Sequence, residues 1–312
     1  TIRWGFLAVL ALGLVVGLPS PRAAEAQPGS DLRVSARFGF DGYYREQVWT
    51  PLQVSLLNNG PDRKVQIRVV TSTYSSGALY FVRDVELAAG TSRDLTLYVL
   101  MEGYASGVDV EIYEGARWVA TASAASTSVS ASDLVYGVVA ADPSAFGALA
   151  QIEPVSGSGY LAQLTIDELP DTAAAYGGLD VLVISDVDTG TLSVAQVAAL
   201  EAWVSSGGRL WVTGGPGWQR TAAGLDQLLP LAPTGTTTLT DLQPLASFAQ
   251  RTDSPEGGLL VATGELRDDA VVRVASGGVP ILAERLTGSG TVEYLAFDPG
   301  TLPTRDWVGT AD

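Results

Sequence analysis

Residues 179–218 read LDVLVISDVDTGTLSVAQVAALEAWVSSGGRLWVTGGPGW, and this run decides what the second half of the chain can be. The apolar stretch 179–185 suits a buried strand, and Asp186-Val187-Asp188-Thr189-Gly190 suits a turn. Ser193 with Gln196 three positions on forms a capping box. Val197, Leu200 and Val204 then recur at helical spacing, and Gly207-Gly208 stops the helix. Residues 209–213 are a second buried strand, and Gly214-Gly215-Pro216-Gly217-Trp218 is a Gly-rich loop after it. The pattern predicts a right-handed βαβ unit in an open, mostly parallel α/β sheet, whose ligand site would lie at the carboxyl ends of its strands.

The same logic extends outward. Residues 134–140, 160–166, 259–262, 271–275, 280–285 and 292–297 read as further strands. The last two are joined as a hairpin through residues 287–290. Asp142-Pro143 supplies an N-cap and an N1 proline for a helix, and a short helix follows residues 167–170. Residues 230–250, rich in Thr, Pro and Leu, carry no clear period and are expected as an insertion over the sheet edge.

Upstream the period changes to two. Leu32, Val34, Ala36, Phe38 and Phe40 alternate with polar positions. So do Leu52, Val54 and Leu56; Val65, Ile67 and Val69; Leu95, Leu97 and Val99; and Val108, Val110 and Ile112. About seven short strands over residues 31–126 predict an immunoglobulin-like β-sandwich. Phe40, Tyr43, Tyr44 and Trp49 form an aromatic group that either caps its core or faces a ligand. Residues 122–132, small and polar, read as a linker to an α/β domain at residues 133–299. Residues 1–26 have the layout of an export signal: Arg3, an uncharged apolar run at 4–18, then Ala24-Glu25-Ala26. An uncleaved anchor is the alternative, although the run is shorter than the ~20 residues of a spanning helix. Residues 300–312 read as the start of a truncated C-terminal region leading to a membrane anchor.

Composition restricts the chemistry. The chain has 312 residues, a net charge of −16, no Cys, no His and one Lys, Lys64. The negative charge disfavours nucleic acid and anionic membrane surfaces. The missing Cys and His remove thiolate catalysis, zinc–thiolate sites and the commonest general base.

With those residues in view, LDVLVIS, LSVAQVAALEAWVSSGGRLWVTGG and VPILAERLTGSGTVEYLAFDP resemble the class I glutamine amidotransferase-like, flavodoxin-like superfamily. The resemblance covers residues 133–299. It implies a nucleophilic Cys at an elbow after a strand, with a His and an acid further on. Here that elbow is Gly214–Trp218, so the resemblance implies a non-catalytic relative. The whole arrangement is similar to bacterial envelope proteins built from a signal, a β-sandwich, an amidotransferase-like domain and a membrane segment.

Candidate site residues gather at the expected carboxyl edge. Asp142, Asp186 and Asp188, with Asp298, are oxygen donors suited to Ca²⁺ or Mg²⁺, and Asp186–Gly190 has the D-x-D-x-G spacing of a calcium loop without its remaining ligands. The plainer reading is a helix cap at Asp142 and a turn at residues 186–190. Gly214 and Gly215 could offer backbone N–H groups to an anion, or simply make a tight turn. Trp218 could stack on a sugar or cover the sheet edge. No catalytic residue and no obligatory cofactor is expected. The leading expectation is an exported, membrane-associated, non-catalytic scaffold or interaction module whose partners are other envelope proteins. The alternatives are an extracytoplasmic receptor for a sugar or divalent cation, and a carboxylate-dependent hydrolase, which needs two acids across one cleft.

Overall fold

The computed structural model describes residues 31–75, 77–152, 154–307 and 309. The expected export signal at 1–26 lies outside them, as do the last residues of the C-terminal region. No helix among the described residues is long and apolar enough to cross a membrane.

The first unit is built from β1 (Leu32–Phe38), β2 (Tyr43–Tyr44), β3 (Trp49–Asn58), β4 (Arg63–Ser72), β5 (Ala78–Leu87), β6 (Ser92–Leu100), β7 (Gly107–Glu114), β8 (Arg117–Ala125) and β9 (Thr127–Ser128). Two antiparallel sheets form, in the orders β1-β3-β6 and β5-β4-β7-β8. Their inner faces interleave Leu52, Val54, Ile67, Val69, Val110 and Ile112 in one core. Period-two alternation places these residues on one side of each strand. β5 has no such signature, because only Val85 and Leu87 of its ten residues are buried.

The expected linker at residues 122–132 is not one. Ala122 and Ala124 are core residues of β8, with Ser123 outward. A small side chain inside a strand reads as linker composition, yet the pleat still buries alternate positions. The aromatic group is also divided. Tyr44 enters the first core, Phe40 enters the core of the second unit, and Tyr43 packs on Tyr160 with ring centroids 5.1 Å apart. Trp49 is the member left substantially exposed.

The second unit comprises β10 (Leu134–Ala140), β11 (Gly159–Leu164), β12 (Val181–Ser185), α1 (Val194–Ser205), β13 (Arg209–Thr213), α2 (Trp218–Ala222), β14 (Leu231–Leu239), α3 (Gln243–Phe248), β15 (Leu259–Leu266), β16 (Ala270–Ser276), β17 (Val279–Thr287) and β18 (Gly290–Leu295). A seven-stranded sheet runs β11-β10-β12-β13-β18-β17-β16. The unit at 179–218 forms as read: β12 and β13 pair in parallel across α1, and Ser193 and Gln196 make both bonds of the capping box. The helix seam differs from expectation. Trp203 is buried with Ala199, Leu200 and Val204, and its ring stacks on Tyr176. Gly208 is required there, because a Cβ would lie 2.4 Å from the Trp203 indole.

The wider fold assignment does not hold. The protein is mostly β, with several sheets in which antiparallel pairs predominate, and it is not a flavodoxin-like open α/β domain. Of the α-helices among the described residues, only α1, with twelve residues, exceeds two turns. The segments expected as helices after Asp142-Pro143 and after residues 167–170, Pro143–Gln151 and Ala173–Gly178, are 3₁₀ segments. Their runs of Gly, Ala and Pro hold too few large apolar residues to lay a helix on the sheet. Residues 230–250 are not an irregular insertion: they supply β14 and α3, and β14 pairs antiparallel with β15. The immunoglobulin-like label is also withdrawn for the first unit. Its β2 and β9 form a parallel ladder outside both sheets, and Phe40 leaves its core for that of the neighbour.

That exchange belongs to an extensive junction. Arg45 Nη2 meets Asp180 Oδ2 at 2.6 Å and donates to the Asp133 carbonyl at 2.8 Å. Tyr98 donates its hydroxyl proton to Asp171 Oδ1 at 2.5 Å and accepts the Asp171 N–H at 2.9 Å. Arg37 pairs with Glu168, and the Gln163 N–H donates to Asp41. A Cβ on Gly178 would lie 3.2 Å from the Phe40 ring, so the backbone of the second unit is pressed against that ring.

Candidate functional site

β10, β12, β13 and β18 run parallel, so their carboxyl ends share one edge. Asp142, Asp186, Gly214-Gly215 and Asp298 follow those ends in turn. The edge therefore gathers the acids that the sequence singled out, and the surroundings of each show what it does.

Asp142 caps Pro143–Gln151, its Oδ1 accepting from the Ser144 N–H at 3.1 Å and the Ser144 hydroxyl at 2.5 Å. Asp188 caps the turn at Thr189–Thr191, accepting from the Gly190 N–H at 3.0 Å. Thr189, fully buried, fastens that turn to α2 by donating to the Thr221 carbonyl and accepting the Gly224 N–H. Asp186 has φ of +53°, a left-handed conformation that Asp adopts more readily than most residues. It forms a bidentate pair with Arg220: Nη2 to Oδ2 at 2.6 Å and Nε to Oδ1 at 3.0 Å. A Cβ on Gly217 would sit 1.7 Å from Asp186 Oδ1, so a side chain at residue 217 would push that carboxylate out of its present position.

The Gly214-Gly215 segment is a turn, not an anion nest. Gly214 N–H donates to the Leu295 carbonyl at 2.7 Å and Gly215 N–H to the Ala296 carbonyl at 2.9 Å. A Cβ on Gly214 would come within 2.6 Å of the Tyr294 hydroxyl, and one on Gly215 within 2.9 Å of the Asp298 nitrogen. Trp218 opens α2 and packs half-buried against the core. Asp298 accepts the Gly300 N–H at 2.8 Å. Burial is the main force raising its pKa above the usual carboxylate range, and the charges of Asp186 and Asp142 add to it.

Beside these residues lies a cleft of about 340 Å³ lined by Asp186, Pro216, Gly217, Gln219 and Arg220. Asp186 belongs to it, whereas Asp142, Asp188 and the two buried glycines do not line it. No group of three or more Asp or Glu side chains among the described residues is arranged to hold a metal ion. Asp188 uses Oδ1 for its own cap, and its charge acts on Arg220, the residue that Asp186 holds. Arg220 was missed in the sequence. A signal existed: it is one of only seven cationic residues after position 127, set in a segment with twenty-two acids.

The family described as domain of unknown function DUF8726 matches residues 31–127, and that described as domain of unknown function DUF7408 matches residues 157–301. No curated protein matches the sequence. Among solved structures, the chain is similar to cytoplasmic protein STM1381 from Salmonella typhimurium LT2, at 16% identity and TM-score 0.46, over 57% of this chain and 95% of that one. It is similar to cytoplasmic protein STM3548 from Salmonella typhimurium at 14% identity and TM-score 0.43, over 58% and 94% of the two chains. Glycoside hydrolases also occur among these likenesses. One is the exo-beta-1,4-mannosidase Op5Man5 from Opitutaceae bacterium strain TAV5, at 14% identity and TM-score 0.34, over 54% of this chain and 31% of that one. At such identities and TM-scores these likenesses carry no functional weight.

Proposed function

We propose that the chain is an exported, membrane-associated, non-catalytic interaction module of a bacterial cell envelope. The observation that supports this reading is how the carboxyl-edge acids are used. Asp142, Asp188 and Asp298 accept hydrogen bonds from their own loops, and Asp186 holds Arg220. Acids engaged this way fasten the loops that carry them, the use a structural module makes of such side chains. The junction ties the two units together through Arg45–Asp180, Tyr98–Asp171 and Arg37–Glu168.

The test combines location with ligand response. The full chain, expressed with its own leader in a bacterial host, is fractionated, and the purified protein is melted with EDTA, millimolar Ca²⁺ or Mg²⁺, and a panel of sugars. Recovery with the envelope and an unchanged melting midpoint are expected. Recovery in the cytoplasm, or turnover of a glycoside panel, would overturn the reading. A second reading, a receptor for a sugar or divalent cation, is favoured by the cleft beside Asp186 and Arg220. A ligand-induced rise in midpoint would select it, because a ligand that binds only the folded state stabilises that state by mass action.

A further inference from the structure

Three connections of the first unit meet at one end of its sheets. The Gln47 N–H donates to the Met101 carbonyl at 2.7 Å, joining the β2–β3 and β6–β7 connections. The β4–β5 hairpin joins them through Tyr74, whose N–H donates to Glu102 at 3.2 Å and whose hydroxyl donates to Glu46. The Tyr74 ring lies along the backbone at Gly103, where a Cβ would be 3.7 Å from its Cε1. Buried Tyr44 props this segment from beneath, its hydroxyl accepting the Ala105 N–H at 2.7 Å.

The result is a braced ledge of aromatic rings. Tyr74 is 64% exposed, Tyr104 76% and Trp49 44%, the last held edge-on by Phe81. Large aromatic rings are more often buried than exposed; Tyr74 is held outward by its bonds to Glu46 and Glu102, and Trp49 by its edge contact with Phe81. The ledge is acidic through Glu46 and Glu102. The nearest cation in sequence, Arg45, is turned away into the junction with Asp180. This acidity is local, since residues 31–127 hold eleven acids against nine bases.

Aromatic faces beside carboxylates are the chemistry that receives a cation. A tyrosine whose hydroxyl donates to a carboxylate has the more electron-rich ring, which strengthens the attraction. The excess of acids after residue 127 adds a field that draws cationic partners and repels anionic ones.

We propose that the ledge formed by Tyr74, Tyr104 and Trp49, bracketed by Glu46 and Glu102, docks a basic segment of a partner protein, with Lys or Arg side chains seated over the tyrosine rings. This rests on the reading of the chain as an interaction module and names the surface through which it acts.

The test measures anisotropy of a fluorescent Lys-Ser repeat peptide, and of its fully acetylated counterpart, with the full chain at ~0.15 M salt. The Lys peptide should bind and the acetylated one should not. Tyr74→Ala with Tyr104→Ala, which leaves the net charge unchanged, should weaken binding by about tenfold. Glu46→Gln with Glu102→Gln should do the same. Glu265→Gln with Asp268→Asn, exposed acids of the second unit, should change it by less than about twofold. Circular dichroism confirms that the variants fold. Equal losses from both acid pairs, or no binding of the Lys peptide, would overturn the proposal. So would retention of a neutral polysaccharide that depends on the same tyrosines, since the ledge would then be a glycan platform. Envelope cross-links to a partner that persist unchanged in the tyrosine variants would overturn the ledge while leaving the interaction module standing.

Discussion

Arg45 and Asp180, 135 positions apart, are joined through both guanidinium Nη atoms at 2.6 and 3.2 Å, and the same carboxylate accepts the Val135 N–H at 2.7 Å. One side chain from β2's end thus secures the start of β10 and the entry to β12. Both partners are largely shielded, so removing Arg45 strands a carboxylate where water reaches it poorly. We expect Arg45→Ala to destabilise the protein by about 2 kcal/mol, below the ~3–5 kcal/mol of a fully buried pair because both side chains keep some solvent contact. Urea unfolding checks this. A separate early transition for one unit should appear in the variant.

The 1.7 Å approach of a residue-217 Cβ to Asp186 makes a double-mutant cycle decisive. Gly217→Ala alone should expel the Asp186 carboxylate, break its pair with Arg220 and cost about 1–2 kcal/mol. In an Asp186→Ala background the same change should cost much less, because the clashing atom is gone. Additive effects in chemical denaturation would show that the contact does not govern the loop.

Gly214→Ala should be more damaging, at about 2–3 kcal/mol. Its Cβ would meet the Ala296 carbonyl oxygen at 2.7 Å as well as the Tyr294 hydroxyl, and a backbone atom inside a sheet extension cannot step aside. Thermal denaturation of the variant, with the fully exposed turn substitution Gly115→Asn as a control, measures the difference.

Burial pushes the Tyr98 phenol up to about 12, with the hydrogen bond to Asp171 adding to the effect. The folded value lies above that of the unfolded chain, so the native state holds this proton more tightly. Its contribution to stability is present below pH ~10 and is lost as the pH rises from ~10 through about 12. Tyr98→Phe should flatten the alkaline fall in stability, read from urea midpoints across that window.

Asp298 titrates in the opposite pH range. Its carboxyl is raised, chiefly by burial, so the native state takes up a proton before the unfolded chain does. Stability should therefore gain from this group as pH falls from the raised value toward ~3.9. Asp298→Asn, which can still accept the Gly300 N–H, should abolish that gain and leave neutral-pH stability equal to or above that of the parent.

Much of the chain was legible where the deciding interactions are close in sequence. Ser193, Gln196 and the Gly207-Gly208 stop bounded α1, and residues 209–213 were read as the strand that forms. β5 was missed because charges at residues 83, 84 and 86 interrupt its alternation, leaving only Val85 and Leu87 fully buried. The Pro143–Gln151 and Ala173–Gly178 crossovers were read as helical because a cap and a proline signal that a turn begins, but carry no information about how far it extends. At the site, the acids were visible as residues after strands. Arg220 was not, since its partner lies thirty-four positions away.

By itself, then, the sequence determined what short-range physics controls: the two-residue period of the strands, the capping of α1, the strand–helix–strand unit at 179–218 and the lack of any Cys or His chemistry. Only the tertiary structure decided that Phe40 belongs to the second core, that Ala122 and Ala124 are interior and that Asp186 is held by Arg220. It also decided that the sheet is completed by antiparallel strands instead of being wrapped by helices. Pairing order and burial are settled by contacts between distant segments, and those depend on which apolar faces find each other once the chain has collapsed, which no local pattern encodes.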